Sequence, residues 1–384
     1  MVFTLNSTPK IVFGSGASQQ TGEKVKELGC KKVLVVHGQF IKKSGIADKV
    51  VDTLLKEGIE VVRFEEVEPD PPDVIVERGA DLAKKENVDG IIGIGGGSAQ
   101  DTAKAINVLL GNPSPITRYL DKSIKMNPGK KLILLPTTAG TGSEANSVSV
   151  ITDTKRGVKG GVIGPPCLPD LAIIDPDFTL GLSPKSTAIT GMDTFAHGVE
   201  SMTTILANPM GDMLAEKVIS LVYKYLPIAV KDGSNLEART NLSFAATIAG
   251  MAFENTVLHL GHSIAHSMGA ICHISHGIAC AIATPYVIEY ISDVMPDKIK
   301  VMARAMELDV EGKSPEEAGK IVADAVRALS KEIGIPTMKE LGIEKDVLEK
   351  VAEQATKDDT YPFIPKETPK ETILELLHRA YEEA

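Results

Sequence analysis

The sequence has no tryptophan, only four cysteines, and few aromatic residues, which make up 4% of its 384 positions. The cysteines form no CxxC pair, so free thiols in a reducing cytoplasm are favoured over a disulfide framework. No apolar run approaches the roughly 20 residues of a membrane helix, and the start of the chain lacks a signal-peptide pattern. A formal net charge of −10 argues against nucleic acid or anionic membrane as a partner. We therefore expect a cytoplasmic protein.

The length and the changing pattern of the chain predict two domains. A chain of 384 residues exceeds the usual size of one domain. Short apolar runs alternate with helical patterns up to residue 174, and beyond a proline-rich stretch the pattern is almost wholly helical. We expect an α/β domain at 1–180 and an all-α domain at 181–384.

The first domain is predicted to be a doubly wound parallel sheet, because its strands are continuously apolar and so must be covered on both faces. Strands are expected at 11–13, 33–36, 59–64, 88–94, 132–135 and 171–174, and helices at 18–28, 46–57 and 73–86. In the second domain helices are expected near 186–204, 210–230, 236–255, 258–271, 277–291, 296–307, 315–332, 345–355 and 369–382.

Five of the eight histidines lie within one otherwise apolar segment. They are His259, His262, His266, His273 and His276. Imidazoles in apolar surroundings are costly unless they are hydrogen-bonded, paired or bound to a metal. The segment therefore predicts a metal site, with supporting donors or polar-face residues as the alternative for the surplus histidines.

An earlier helical segment offers further donors. Asp193 and His197 are four residues apart, so they share one helix face. Read singly, Asp193 could be a helix N-terminal charge and His197 a partly buried polar residue. A carboxylate with three imidazoles suits Fe(II), Zn, Mn or Co better than Ca or Mg.

Two loops are candidates for cofactor binding. Residues 88–105 read as a buried strand, three glycines and a helix, with Ser98 at the expected N-cap and Asp101 completing a capping-box-like pair. Such a turn lets a phosphate approach free backbone N–H groups. It is neither the Rossmann nor the Walker pattern, and a turn without ligand remains the alternative. The hydroxyl-rich loop Pro136–Glu144 follows another strand and could equally be a polar turn.

Four motifs in this order resemble the iron-containing (group III) alcohol dehydrogenases: GGGSAQDTAK, PTTAGTGSE, GMDTFAHGVE, and GHSIAHSMGA with a following HG. The resemblance spans nearly the whole chain, and it implies an α/β dinucleotide-binding domain at 1–180 and a helical metal-binding and catalytic domain at 181–384. It implies metal binding, usually of iron(II), and it relates a histidine near the site to proton transfer. The implied ligands are Asp193, His197, His262 and His276, and the proton-transfer residue is His266. The implied cofactor contacts are Gly96, Gly97, Ser98, Asp101, Thr137 and Thr138, with Asp70 and Lys159 as further contacts.

Several positions depart from the family pattern. Gly38 is a further predicted cofactor contact, and it stands where NAD-specific members often carry Asp, which would bind the ribose 2′-hydroxyl and repel a 2′-phosphate. Either NAD or NADP is therefore expected as the cofactor. His259 replaces a frequent glycine, Ser275 a proline and Cys280 an asparagine. We expect these changes to affect the substrate range more than catalysis.

Together these features predict a metal-dependent alcohol dehydrogenase or aldehyde reductase. It would transfer a hydride between a primary alcohol, or its aldehyde, and NAD or NADP, with Fe(2+) or else Zn or another divalent metal. The resemblance also implies a homodimer or higher homo-oligomer. The alternatives are a zinc-dependent superfamily relative of the glycerol-dehydrogenase or dehydroquinate-synthase type, a metallohydrolase, and a non-catalytic regulator.

Overall fold

The computed structural model describes residues 2–383. These residues form two compact units, one of Ser7–Leu180 and the other of residues 2–6 together with 181–383. The first unit holds the parallel sheet and the second is helical, so the predicted fold class is confirmed. The assignment of the two units as separate domains stays a prediction.

The first unit is built on a six-stranded sheet whose paired strands are all parallel. In chain order its elements are β1 (Lys10–Phe13), α1 (Thr21–Glu27), β2 (Lys32–Gly38), α2 (Gln39–Ser44), α3 (Ile46–Lys56), β3 (Glu60–Val67), α4 (Asp73–Lys85), β4 (Gly90–Gly95), α5 (Gly97–Gly111), β5 (Lys131–Pro136), β6 (Val148–Asp153), β7 (Val158–Ile163) and β8 (Leu171–Ile174). The spatial order is β1-β8-β5-β4-β2-β3.

Both faces of this sheet are covered, which explains its continuous apolar strands. Within β2, Leu34 and Val36 belong to one hydrophobic cluster, while Val33 and Val35 belong to another. Because successive side chains point to opposite faces, each cluster covers one face. All six predicted strands are present, and most extend beyond their predicted bounds by one to three residues.

Three of these helices and strands of the first unit were not predicted: the short helix α2 and the strands β6 and β7, which form an antiparallel hairpin. The sequence pattern did not predict the hairpin, because the buried face of β6 includes polar residues. The buried Ser149 hydroxyl donates to the Asp101 carbonyl, and Asp153 accepts from the backbone N–H of Lys155 and Arg156. The alternation of apolar and polar residues that marks a half-buried strand is therefore lost.

The second unit consists of helices at every predicted place. They are α6 (Pro184–Thr203), α7 (Pro209–Lys231), α8 (Leu236–Thr256), α9 (Leu260–Cys272), α10 (His276–Ile291), α11 (Pro296–Ala305), α12 (Pro315–Glu332), α13 (Leu348–Ala355) and α14 (Lys370–Glu382). Within the described part of the chain, no helix combines the length and apolar character that a membrane span needs.

Two local features bring α6, α9 and α10 together. His273 has a left-handed φ of 54°, which ends α9 and lets the chain turn into α10. A Cβ atom on Gly277 would lie 2.0 Å from the Ile189 carbonyl oxygen on α6. Only glycine allows α10 to approach α6 so closely, and this approach brings His276 to Asp193.

Candidate active site

A carboxylate on α6 lies at the centre of a group of imidazoles. The Asp193 Oδ1 atom is 3.3 Å from His276 Nε2, 3.5 Å from His197 Nε2 and 3.7 Å from His262 Nε2. Asp193, His197 and His262 are all buried, while the side chain of His276 is 39% exposed. The structure therefore brings together all four residues predicted as metal ligands.

The distances in this group suit a bound metal ion. Two donors about 2.1 Å from a tetrahedral ion are about 3.4 Å apart. The carboxylate–imidazole distances of 3.3 to 3.7 Å match that spacing. Carboxylate oxygen and imidazole nitrogen are ligands for Fe(II), Zn, Mn and Co. The residues present thus fit a divalent transition metal.

The pKa values within the group are strongly shifted, and those of His262 and His276 are raised by neighbouring acidic groups, for His276 to about 10, although burial opposes this. Burial opposes ionisation of Asp193, but the imidazoles of His197 and His276 outweigh it and hold its pKa well below the ordinary value. Burial lowers the pKa of His197 to about 4, so its ring is neutral near pH 7. Neutral imidazole and ionised carboxylate are the forms that bind metals, and any protons on the other rings would be displaced by the ion.

Glu200 supports the group and was missed as a functional residue. Its Oε1 accepts a hydrogen bond of 2.8 Å from His262 Nδ1, and its Oε2 accepts one of 2.6 Å from the backbone N–H of His259. Burial opposes its ionisation, but these two histidines lower the pKa of Glu200 to about 2. The bond fixes the His262 tautomer, leaving Nε2 as the metal-binding atom. Asp193, His197 and Glu200 share one helix face at spacings of four and three, a signal that the sequence contained.

His259 and His273, the other two histidines of this segment, are not among the imidazoles around Asp193. The His259 ring is fully buried, and its Nε2–H donates over 2.8 Å to the Thr203 hydroxyl, which itself donates to the Val199 carbonyl. It is thus a supporting group behind Glu200. His273 is exposed at the end of α9.

His266 lies next to the group and is partly exposed. Its ring centroid is 5.2 Å from that of His276, and its side chain is 41% exposed. The Nδ1 atom donates over 2.9 Å to Asp358 Oδ2. Asp358 also accepts from the Thr360 hydroxyl and backbone N–H at its other oxygen, and the pKa of this carboxyl falls to about 2 although burial opposes ionisation. Asp358 is 92 residues away in the chain, so no spacing could have revealed it.

Cys280 also belongs to the group, although the sequence indicated only an altered substrate range. Its Sγ lies 3.5 Å from His276 Nε2, 3.7 Å from Asp193 Oδ1 and 4.0 Å from His262 Nε2. Burial disfavours the thiolate, yet the imidazoles of His276 and His262 outweigh burial and lower the pKa of the thiol.

In the first unit, the two predicted cofactor loops meet at one edge of the sheet. They follow the neighbouring strands β4 and β5, whose carboxyl ends lie together because the strands are parallel. A Cβ atom on Gly96 would lie 3.2 Å from the Thr138 hydroxyl, and one on Gly97 would lie 2.8 Å from Thr141 Cγ2. The glycines therefore allow the loops to touch, and Thr137 is buried directly after β5.

The predicted capping box at this turn is wrong. Helix α5 begins at Gly97 with Gly96 as its N-cap, so Ser98 lies inside the first turn. Asp101 instead accepts a hydrogen bond of 2.9 Å from the Ser143 hydroxyl, and burial raises its pKa to about 6. Glycine stands at the cap position, where a Cβ atom would lie only 3.2 Å from the Thr138 hydroxyl and would press on the neighbouring loop.

The three other predicted cofactor contacts also belong to the first unit. Gly38 ends β2 at the same edge, and a Cβ atom there would lie 3.2 Å from the Val67 carbonyl oxygen. Asp70 and Lys159 form an ion pair of 2.6 Å between the loop after β3 and strand β7. The structure thus brings Asp70 and Lys159 to each other.

A parallel sheet with a glycine turn, together with a cluster of Asp193 and histidines, is typical of a metal-dependent oxidoreductase that uses a nucleotide cofactor. Comparison with known proteins leads to the same class. The model of the iron-containing alcohol dehydrogenase family matches residues 8–176, and that of the C-terminal region of the Fe-containing alcohol dehydrogenase family matches residues 187–381. The chain belongs to the iron-containing alcohol dehydrogenase family, and it is therefore an oxidoreductase of the alcohol dehydrogenase type.

Similar proteins cover nearly the whole chain. The chain is 37% identical to choline dehydrogenase of Bacillus subtilis, over 91% of this chain and 87% of that one. It is 34% identical to NAD-dependent methanol dehydrogenase of Bacillus methanolicus, over 97% and 98%. A crystal structure of 1,3-propanediol oxidoreductase superposes with a TM-score of 0.96 at 34% identity, over 99% of this chain and 100% of the other.

Proposed function

We propose that this protein oxidises a primary alcohol to its aldehyde, and reduces the aldehyde in reverse, with a nicotinamide dinucleotide and a divalent metal. The alcohol loses a hydride from its carbinol carbon to the nicotinamide and a proton from its hydroxyl to solvent. The observation that carries the proposal is the buried Asp193 carboxylate surrounded by three imidazoles in a chain of this family.

The metal would be held by Asp193, His197, His262 and His276. When bound it supplies Lewis acidity, which lowers the pKa of an alcohol hydroxyl and polarises an aldehyde carbonyl. Glu200 keeps His262 in the tautomer that can bind. His266, whose Nδ1 donates to Asp358, would pass the alcohol proton to solvent through its other nitrogen.

The dinucleotide would lie at the sheet edge formed by the glycine turn and the Pro136–Glu144 loop, with a phosphate at the N-terminus of α5. Gly96, Gly97, Ser98, Asp101, Thr137 and Thr138 are the proposed contacts, with Gly38, Asp70 and Lys159 further out. The similar methanol dehydrogenase is named as NAD-dependent, which supports NAD. Gly38 supplies no carboxylate that would repel a 2′-phosphate, so we propose NADP as the second possible cofactor.

The substrate class is a small primary alcohol or its aldehyde. The similar proteins are named for choline, methanol and 1,3-propanediol, which are all small alcohols with a hydroxyl on a terminal carbon. Iron(II) is the proposed metal, with zinc as the second choice. The glycerol-dehydrogenase-type and metallohydrolase alternatives are not favoured, because both family models are of the iron-containing class.

The function is tested by one grid of assays. Metal-free protein is reconstituted with Fe(II), Zn, Mn or Ni, and each form is mixed with NADH or NADPH and a panel of short aldehydes. We expect oxidation of the nicotinamide, followed by its absorbance, in the metal-loaded forms and not in the metal-free control. Absence of oxidation throughout the grid would refute the dehydrogenase function, and the NADH and NADPH columns give the cofactor preference.

His266→Ala is expected to lower kcat roughly 10² to 10⁴-fold, the usual contribution of a proton-transfer group, while the protein keeps its metal. Asp358→Asn should lower kcat less, because it removes the negative charge that holds the ring but keeps the imidazole. Steady-state kinetics with metal analysis on the same samples gives both numbers. An unchanged kcat in His266→Ala would exclude this role.

We further propose that the protein is cytoplasmic and forms a homodimer or higher homo-oligomer. The four free cysteines support a reducing compartment. Light scattering coupled to size-exclusion chromatography tests the assembly, and a monomer at all concentrations would refute it.

A further inference from the structure

We propose that Cys280 is a metal donor, so that the centre can bind an ion through one oxygen, two nitrogens and one sulfur. This set consists of Asp193, His262, His276 and Cys280. The inference rests on the metal site of the proposed function, and it concerns which atoms hold the ion and which ions the site prefers.

The sulfur lies where a ligand should lie. A thiolate about 2.3 Å and an imidazole about 2.05 Å from a tetrahedral ion are about 3.6 Å apart. The Cys280 Sγ distances to the Asp193 oxygen and to the two imidazole nitrogens are 3.7, 3.5 and 4.0 Å. One donor atom from each of the four residues lies within 4.8 Å of all the others.

The helices present these donors in a regular way. His276 and Cys280 are four residues apart on α10, just as Asp193 and His197 are four residues apart on α6, so each pair shares one helix face. His262 on α9 belongs to both possible sets of four ligands. Asp193, His262 and His276 are common to both sets, and the fourth donor is the His197 imidazole or the Cys280 sulfur.

A sulfur ligand changes the metal preference. Thiolates favour Zn and Co(II) over Mn(II), which prefers oxygen ligands. The Cys280 side chain is fully buried, so its sulfur is shielded from bulk solvent and from exchange with external thiols. We therefore expect this centre to prefer zinc and cobalt more strongly than the same centre without the sulfur. On binding, the thiol proton is released to solvent.

Cobalt substitution tests the assignment. Metal-free protein loaded with Co(II) should show sulfur-to-cobalt charge-transfer absorption in the near ultraviolet. Cys280→Ser and Cys280→Ala should lose that absorption but keep the weaker visible bands of bound cobalt. Cys272→Ser is the matched control, because Cys272 ends α9 outside the cluster, and it should keep the wild-type spectrum.

A competition experiment measures the preference. In dialysis against equal Zn(II) and Mn(II), Cys280→Ser should lower the bound Zn-to-Mn ratio about tenfold or more relative to wild type. A wild-type cobalt protein without charge-transfer absorption, or an unchanged metal ratio in both Cys280 variants, would overturn the proposal. If the protein reduces aldehydes but its cobalt form lacks charge-transfer absorption, only the sulfur ligand is refuted. If the cobalt form shows charge-transfer absorption but no metal form oxidises the nicotinamide, only the proposed function is refuted.

Discussion

His262→Ala is expected to abolish both metal retention and alcohol-dependent turnover. His262 Nε2 lies 3.7 Å from Asp193 Oδ1, while its Nδ1 donates to Glu200. Alanine removes a ligand and leaves the Glu200 carboxylate buried without that hydrogen bond. Since a Lewis acid contributes several kcal/mol and about 4 kcal/mol is about a thousandfold, kcat/KM should fall on the order of 10³-fold or more.

Metal content and nicotinamide absorbance, measured on the same preparation, check this result. His273→Asn is the matched control: it removes an exposed histidine from the same segment, and asparagine tolerates the left-handed backbone there. The control should keep the metal and at least half of the wild-type rate. If metal-free His262→Ala reduced aldehydes at the wild-type rate, metal-dependent catalysis would be disproved.

Glu200→Gln is expected to weaken metal binding by roughly 10 to 100-fold, the usual effect of losing a group that orients a metal-binding histidine. The Glu200 carboxylate accepts from two donors, the His262 ring and the His259 backbone N–H. A glutamine has one acceptor oxygen and can serve only one of them. If its amide nitrogen faces His262, the ring must turn to the tautomer with the proton on Nε2, which blocks the metal-binding atom.

The same substitution should destabilise the fold by about 1 to 3 kcal/mol, because a buried donor is left without a partner. It should also change the pH dependence of stability. The pKa of Glu200 is lowered from 4.5 to about 2, so its contribution is present above pH 4.5 and is lost as pH falls toward 2. In Glu200→Gln, this contribution to the fall in folding stability between pH 4.5 and pH 2 should be absent.

Metal titration and chemical unfolding at pH 7 and pH 3 measure both effects of Glu200→Gln. Glu237→Gln, an exposed change on α8, is the control and should alter neither. Wild-type metal affinity in Glu200→Gln would contradict the role of this carboxylate.

Most of the fold could be predicted because burial leaves a direct pattern in the chain. The strand Val33–Val36 is apolar throughout because both faces of the sheet are covered, and the helices of the second unit were predicted to within a few residues. The hairpin of β6 and β7 could not be predicted, because the buried Ser149 is satisfied by the Asp101 carbonyl, a partner that only the fold supplies. The Ser98 cap was wrong for a similar reason, since contact with the Thr138 loop places glycine at the cap.

The candidate ligands on each helix could be predicted from the sequence, because helix geometry places residues four apart on one face. It therefore indicated Asp193 with His197, and the histidines of α9. Which groups lie together across different helices depends on the packing of the folded chain. Asp358 meets His266 across 92 residues, and the Cys280 sulfur meets the Asp193 carboxylate across 87. Contacts between distant helices depend on how the helices pack, for which Gly277 makes room, and no local spacing records that packing.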